Sequence, residues 1–347
     1  MKRFWILAAL VVATLLGGAA TVWARAQGAR PAQRTRPIRA GHARHRPGKS
    51  HPKRDRHRKR HKHRRHRRHR QRIPILAAPG SVTAASGGTP IGPPASATKI
   101  QHVVWILMEN QDYAAIVGSG SAPYINSLAN TYGLATDYSA ISHPSLPNYI
   151  ALTSGSDQGI TDDSGPSSHP LNVPNIFSQL PGGASRSLQE NMPSPCAQSD
   201  AGEYAVRHNP EAYYINLGSD CGNYDVPFGP APDLSARFTF VTPNVIDDMH
   251  DGTIADGDNF LKSYVPALMA TPQYQAGNTA IFIVWDENSG SSGNQVPCIV
   301  VSPYTHGVKD GTPYSHYSLL RTTEELLGLP LLGNAGSANS MVANFGL

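Results

Sequence analysis

Positive charge is almost missing from the last part of this 347-residue chain, and negative charge from the first. Residues 98–347 hold only seven of the 30 Lys+Arg but 23 of the 24 Asp+Glu, while residues 1–97 hold the other 23 cations and one acid, Asp55. The formal charge of +6 is therefore an average over two opposite halves. An acidic C-terminal part argues against a nucleic-acid-binding core there. Cysteine is also scarce, with three in the chain. Cys196 and Cys221 lie in one irregular region and Cys298 in an apolar, strand-like run. A Cys196–Cys221 disulfide would suit an oxidising compartment and contribute roughly 3–4 kcal/mol by loop entropy; the alternative is three free thiols. No internal repeat is present, which excludes a solenoid or propeller.

What the first 97 residues do contain is signal-like and low in complexity. Lys2-Arg3, an apolar stretch from Phe4 to Ala24, and the Ala24-Arg25-Ala26 pattern read 1–26 as a cleaved export signal or an N-terminal anchor. Either places the protein as secreted or envelope-associated, outside the cytoplasmic membrane. Residues 27–72 form a His/Arg/Lys-rich tract that cannot bury apolar surface and is expected to be disordered. A polycation at 29–72 would adhere to an anionic envelope polymer or a lipid surface rather than to a specific nucleic acid. Residues 73–97, rich in Ala, Gly and Pro, read as a linker.

In 98–347 strand and helix signals alternate, which implies an α/β fold with a mostly parallel central sheet and helices on both faces. The strand candidates are His102–Met108, Phe238–Thr242, Ala280–Trp285 and Val296–Val301. The helix candidates are Tyr124–Tyr132, Asn148–Leu152, Asp258–Ala270 and Tyr317–Leu327. Two apolar strands each run straight into acids, Glu109-Asn110 and Asp286-Glu287. Ligands in open α/β sheets sit beyond the carboxyl ends of the strands, so these oxygen donors are expected at one rim, as a site for a hard divalent cation. Ser145, just before a helix with Pro147 in its first turn, is either a helix cap or a nucleophile at a helix N-terminus, where free N–H groups favour phosphate. Asn148, one turn on, would donate to a phosphoryl oxygen.

Several ordered motifs then match together: M-E-N-Q-D-Y from Met108, S-A-P-Y-I-N-S-L-A from Ser121, H-P-S-L-P-N-Y from His143, Y-A-V-R-H-N-P from Tyr204, P-N-V-I-D-D-M-H-D-G from Pro243, W-D-E-N-S-G-S-S-G-N-Q-V-P from Trp285 and S-H-Y-S-L-L-R-T from Ser315. In these runs the chain resembles the bacterial phosphoesterase family of acid phosphatases and phospholipases C, within the alkaline phosphatase superfamily. The nearest resemblance is to secreted acid phosphatases of the type that acts on phosphoinositides. It covers 98–347 and none of the basic tract.

The resemblance implies an alkaline-phosphatase-like three-layer α/β/α sandwich and a phosphate ester substrate. It implies Ser145 as nucleophile and Glu109, Asn110, Asp286 and Glu287 as metal ligands. An all-oxygen set favours Ca²⁺, Mg²⁺ or Mn²⁺ over zinc. His250, His316 and His208 are expected as phosphate ligands or proton donors, His143 as the residue orienting the nucleophile loop beside the phosphate, and Asp251 as the group fixing the His250 tautomer. The chain departs from the family in having Asp112 and Tyr113 after Glu-Asn-x. Two other functions compete with a phosphomonoesterase: a phosphodiesterase of phospholipase C type, and an inactive cationic envelope-binding protein.

Overall fold

The computed structural model describes residues 99–229, 231–291 and 293–347. The export segment, the basic tract and the linker lie outside the described residues. The strands are β1 (His102–Met108), β2 (Gly133–Ala135), β3 (Tyr138–Ser139), β4 (Ser185–Gln189), β5 (Asp225–Pro227), β6 (Phe238–Thr242), β7 (Thr279–Trp285), β8 (Cys298–Val301), β9 (Val308–Asp310) and β10 (Tyr314–Ser315). The main sheet has the order β5-β4-β6-β1-β7-β8-β2-β9, and β3 pairs with β10 in a small second sheet. In the main sheet only β8 opposes the rest, antiparallel to both β7 and β2. The mostly parallel α/β architecture expected from the alternating pattern is the one found. Val296–Val301 differs from its expectation: the strand begins at Cys298 and is the reversed one.

β1 and β7 are buried along almost their whole length. Helices cover both faces of the sheet, so neither side of these strands meets water and their sequences run apolar without alternation. Trp105 of β1 packs edge-on against Phe238 of β6, with ring centroids 4.8 Å apart. Its indole N–H donates to Thr323 Oγ1 at 2.9 Å, which satisfies the one polar atom of a fully buried ring. In the helical layers Pro123–Thr131 packs with Ile254–Met269, and Ser145–Ser154 packs with His316–Leu327.

Helix ends moved by a few residues relative to expectation. Asp258–Ala270 becomes Ile254–Met269, because Thr253 and Asp256 form a capping box that starts the helix a turn earlier. Asn148–Leu152 becomes Ser145–Ser154, so Ser145 is the first helical residue and not the one before it. Gly155, at φ +76°, ends this helix, and a Cβ there would lie 2.2 Å from the Leu332 carbonyl oxygen.

Cys196 and Cys221 are joined across a sequence separation of 25, and Cys298 is a buried free thiol. The bridge ties the segment before the polar strand β5 to the loop after β4. The Cys196→Ser/Cys221→Ser double variant should lose about 3–4 kcal/mol of unfolding free energy, read as a lower urea midpoint. An unchanged midpoint would contradict a stabilising role for the bridge.

Candidate active site

Three adjacent strands, β6, β1 and β7, end at one rim. Met108 pairs with Trp285 in the parallel register, so Glu109 and Asp286 emerge side by side. The rim is strapped by Asp286 N–H donating to Met108 O at 2.9 Å and Glu109 N–H donating to Asp248 O at 2.8 Å. The loop after β6 carries Asp248 and His250. Its turn closes only because Gly252 has no side chain: a Cβ there would lie 2.0 Å from the Ile246 carbonyl oxygen. Asn110 (φ +46°) and Met249 (φ +87°) both hold left-handed backbone at this rim, a strain that the surrounding structure must enforce.

Ser145 is 2% exposed and caps nothing; the N-cap position is Pro144. Its hydroxyl instead donates to Glu109 Oε2 at 3.1 Å. The helix thus delivers the serine into the acidic rim. Tyr149, one turn on and on the same face, donates to the other Glu109 oxygen.

Asn148 corrects an expectation. Its Oδ1 accepts from the Ile141 and Ser142 amides (3.0 and 2.9 Å), and its Nδ2 donates to the Ser142 and Pro144 carbonyls (2.9 and 3.2 Å). Both ends of the amide are spent on clamping the 141–144 loop, so Asn148 fixes the loop that precedes Ser145 and has no hydrogen bond left for a phosphoryl oxygen.

His316 also departs from its expected role. It is fully buried, donates from Nε2 to the Asp286 carbonyl at 2.6 Å, and so presents Nδ1 as acceptor to the Tyr138 hydroxyl at 3.0 Å. Burial lowers its pKa to about 4. A neutral ring with both nitrogens occupied behind Asp286 positions that residue and leaves nothing for a leaving group.

His208, His250 and His143 face the rim. His208 is buried and stacked on Tyr149, with ring centroids 5.5 Å apart. Its Nε2 lies 3.3 Å from Glu109 Oε1 and its Nδ1 lies 3.2 Å from Asp248 Oδ2. Burial, then the charges of Arg207 and His250, hold it well below its ordinary pKa. His250 accepts at Nε2 from Arg207 at 3.1 Å, which places its proton on Nδ1, 2.8 Å from Asp251 Oδ1. Asp251 thus sets the tautomer, but the nitrogen meant for proton donation faces a guanidinium. His143 is half-exposed at the mouth, with Nδ1 2.5 Å from Glu287 Oε2. Asp112 accepts from Ser289 at 2.5 Å and from Ser291, so the departure from the family pattern staples the loop that follows Glu287.

Four residues at the site had no assigned role from sequence. Tyr149 was findable from its i+4 spacing to Ser145, and Asp248 from its place in the D-D-M-H-D run. Arg207 and Asp163 carried no local signal, since only folding brings the segments 204–210 and 156–170 to this rim.

The electrostatics are lopsided. Burial, then Asp286 and Asp248, push Glu109 well above the usual carboxylate range. Burial raises Asp286 to about 7 and Asp248 to about 8, and burial with the Asp286 charge raises Glu287 to about 9. Acids this close cannot all ionise without a cation. Asp286 Oδ2 is buried and accepts no hydrogen bond of ordinary geometry. One Asn110 amide atom lies 2.8 Å from Glu109 Oε2 and 3.3 Å from Asp286 Oδ1; as nitrogen it donates to both carboxylates, and as oxygen it meets only acceptors and needs a cation. Such a cluster is tolerable when a cation sits among the oxygens. The separations fit, because an octahedral cation with bonds of about 2.1 Å has oxygen edges of about 3 Å. Glu109, Asn110, Asp286 and the Ser145 hydroxyl suit a hard divalent ion, with Glu287 flanking.

Similarity to known proteins identifies the family. The Phosphoesterase family model matches residues 119–330, and the chain belongs to the phosphoesterase family. It is a phosphoric ester hydrolase. It is 35% identical over 245 residues to the phosphatidylinositol-3-phosphatase of Mycobacterium tuberculosis, covering 68% of this chain and 80% of that one. It is 31% identical over 291 residues to a "Probable acid phosphatase" of Kluyveromyces lactis, covering 72% and 67%. A solved alkaline phosphatase superfamily protein from Vibrio parahaemolyticus superposes at TM-score 0.48 and 11% identity, covering 69% of this chain and 71% of that one.

The raised acids set a sign for stability. Each binds more protons folded than unfolded between its ordinary and its raised pKa, so without metal the fold should gain stability as pH falls from about 9 toward 5. Saturating Mg²⁺, Ca²⁺ or Mn²⁺ should raise the melting temperature most at the alkaline end and flatten the profile. Thermal melts at several pH values test this; a metal-free profile that rises with pH would contradict it.

Proposed function

We propose that this chain is a secreted or envelope-associated, metal-dependent acid phosphatase that hydrolyses phosphate monoesters through a phosphoserine at Ser145. The observation that carries the reading is the Ser145 hydroxyl. It is buried at a helix N-terminus, caps nothing, and donates to Glu109 at 3.1 Å. A bound divalent ion would supply Lewis acidity to the serine oxygen and the phosphoryl group.

The chain's own residues do the rest. The Asn148 clamp holds the 141–144 loop, so the serine meets phosphorus along one line. Tyr149 and His208 keep Glu109 oriented, and Glu109 Oε2 receives the serine hydroxyl's hydrogen bond. Arg207, steered by His250 and Asp251, is the guanidinium bonded within this cluster and the natural partner for a phosphoryl oxygen. His143 stands at the mouth with Glu287 on Nδ1, which leaves Nε2 to give a proton to the departing alcohol.

Phosphoinositides are the substrate class suggested by the name of the mycobacterial relative. The export-like segment at 1–26 and the disulfide support a location outside the cytoplasmic membrane. The 29–72 polycation would hold the enzyme to an anionic polymer or lipid surface.

Ser145→Ala should leave the melting temperature close to wild type and cut phosphate release by at least about 10³-fold. Acid-quenched wild type should carry phosphate on Ser145. p-Nitrophenyl phosphate should be a better substrate than bis-p-nitrophenyl phosphate, with phosphatidylinositol 3-phosphate turned over. Near-full activity of Ser145→Ala would remove the nucleophile, and preference for the diester would favour the phospholipase C reading.

A further inference from the structure

Asp163 lies against the first turn of the helix that carries Ser145. Its Oδ1 accepts the backbone N–H of Leu146 at 2.9 Å, and Leu146 directly follows the proposed nucleophile. The first helical turn has few amides to offer: Pro147 has none, so Ser145 and Leu146 supply the free N–H groups beside the serine hydroxyl. Such amides are the natural donors for an oxygen of a phosphoryl group approaching Ser145. One of the two is already taken by a carboxylate of the chain itself.

The charge of Asp163 also reaches the rest of the site, acting on Glu287, His208 and Tyr213. It therefore adds to the negative field of the rim, against an incoming anion. The neighbouring backbone is held without it. Asp162 Oδ1 accepts from Ser164 N–H and lies 2.8 Å from His169 Nε2, while the Ser164 carbonyl accepts from Tyr213 Oη at 3.3 Å. Nothing in the reaction described above uses Asp163, and its side chain is exposed.

We infer that Asp163 is an internal anion that competes with the substrate phosphate for the Leu146 amide, so that substrate must displace it before reacting. This rests on the reading of Ser145 as the nucleophile. The consequence is a weakened hold on free phosphate, which is also the product, and a KM set in part by a residue that is not catalytic. The alternative is that Asp163 merely caps the nucleophile helix.

Two substitutions separate these roles. Asp163→Asn keeps an oxygen able to accept the Leu146 N–H but removes the charge, and Asp163→Ala removes both. Competition predicts that both variants of the full chain, assayed with divalent cation present, bind inorganic phosphate about tenfold more tightly by calorimetry. KM for p-nitrophenyl phosphate should fall in parallel. Capping alone predicts an Asn variant that binds phosphate like wild type and an Ala variant altered only in melting temperature, and that result overturns the inference. Failure of the underlying nucleophile reading appears separately, as turnover that survives Ser145→Ala, and would overturn this inference with it.

Discussion

The interaction on which the site depends is the mutual repulsion of buried carboxylates at neighbouring strand ends. Glu109, Asp248 and Asp286 are fully buried, and Glu287 nearly so. The Lys and Arg side chains of the described residues mostly serve elsewhere: Arg186 pairs with Asp233, Arg321 with Glu325, and Arg237 caps the Leu327 carbonyl. Arg207 reaches the cluster, and it is bonded to His250. A protein that gathers acids this way must protonate them, at the expense of function, or balance them with a metal ion.

The fold makes that crowding unavoidable once β1 and β7 pair in register. The same pairing that buries Trp105 and Phe282 brings both chains to their ends together, and the straps from Met108 O and Asp248 O hold the acids there. Positive-φ backbone at Asn110 and Met249 fits this view: strain appears where side chains must be aimed at a shared point. Behind the rim, His316 and Tyr138 fix Asp286, and Tyr149 and His208 fix Glu109. The groups that would touch a ligand are thus held by buried groups that do not.

Much of this was legible in the sequence. The apolar runs ending in Glu109 and Asp286 announce strands with acids at their tips, because a doubly covered strand has no reason to alternate. Ser145 was ambiguous between cap and nucleophile, and the geometry of its hydroxyl removes the cap. Less legible were the polar strands β4 and β5, whose Ser-Arg-Ser-Leu-Gln and Asp-Val-Pro sequences lack a hydrophobic period. The roles of Asn148 and His316 could not be read either. Both are polar residues at plausible spacing, and only the backbone partners around them reveal that their hydrogen bonds are already spent. Arg207 and Asp163 enter the site through loops whose paths depend on tertiary packing.

The chemistry proposed for this site requires one cation among these oxygens. Crystals grown with Mn²⁺ and measured near the manganese absorption edge would test it most directly. The prediction is one strong anomalous peak at about 2.0–2.6 Å from oxygens of Glu109, Asn110, Asp286 and Ser145. A map with no peak there, or with manganese bound only away from the serine, would contradict it.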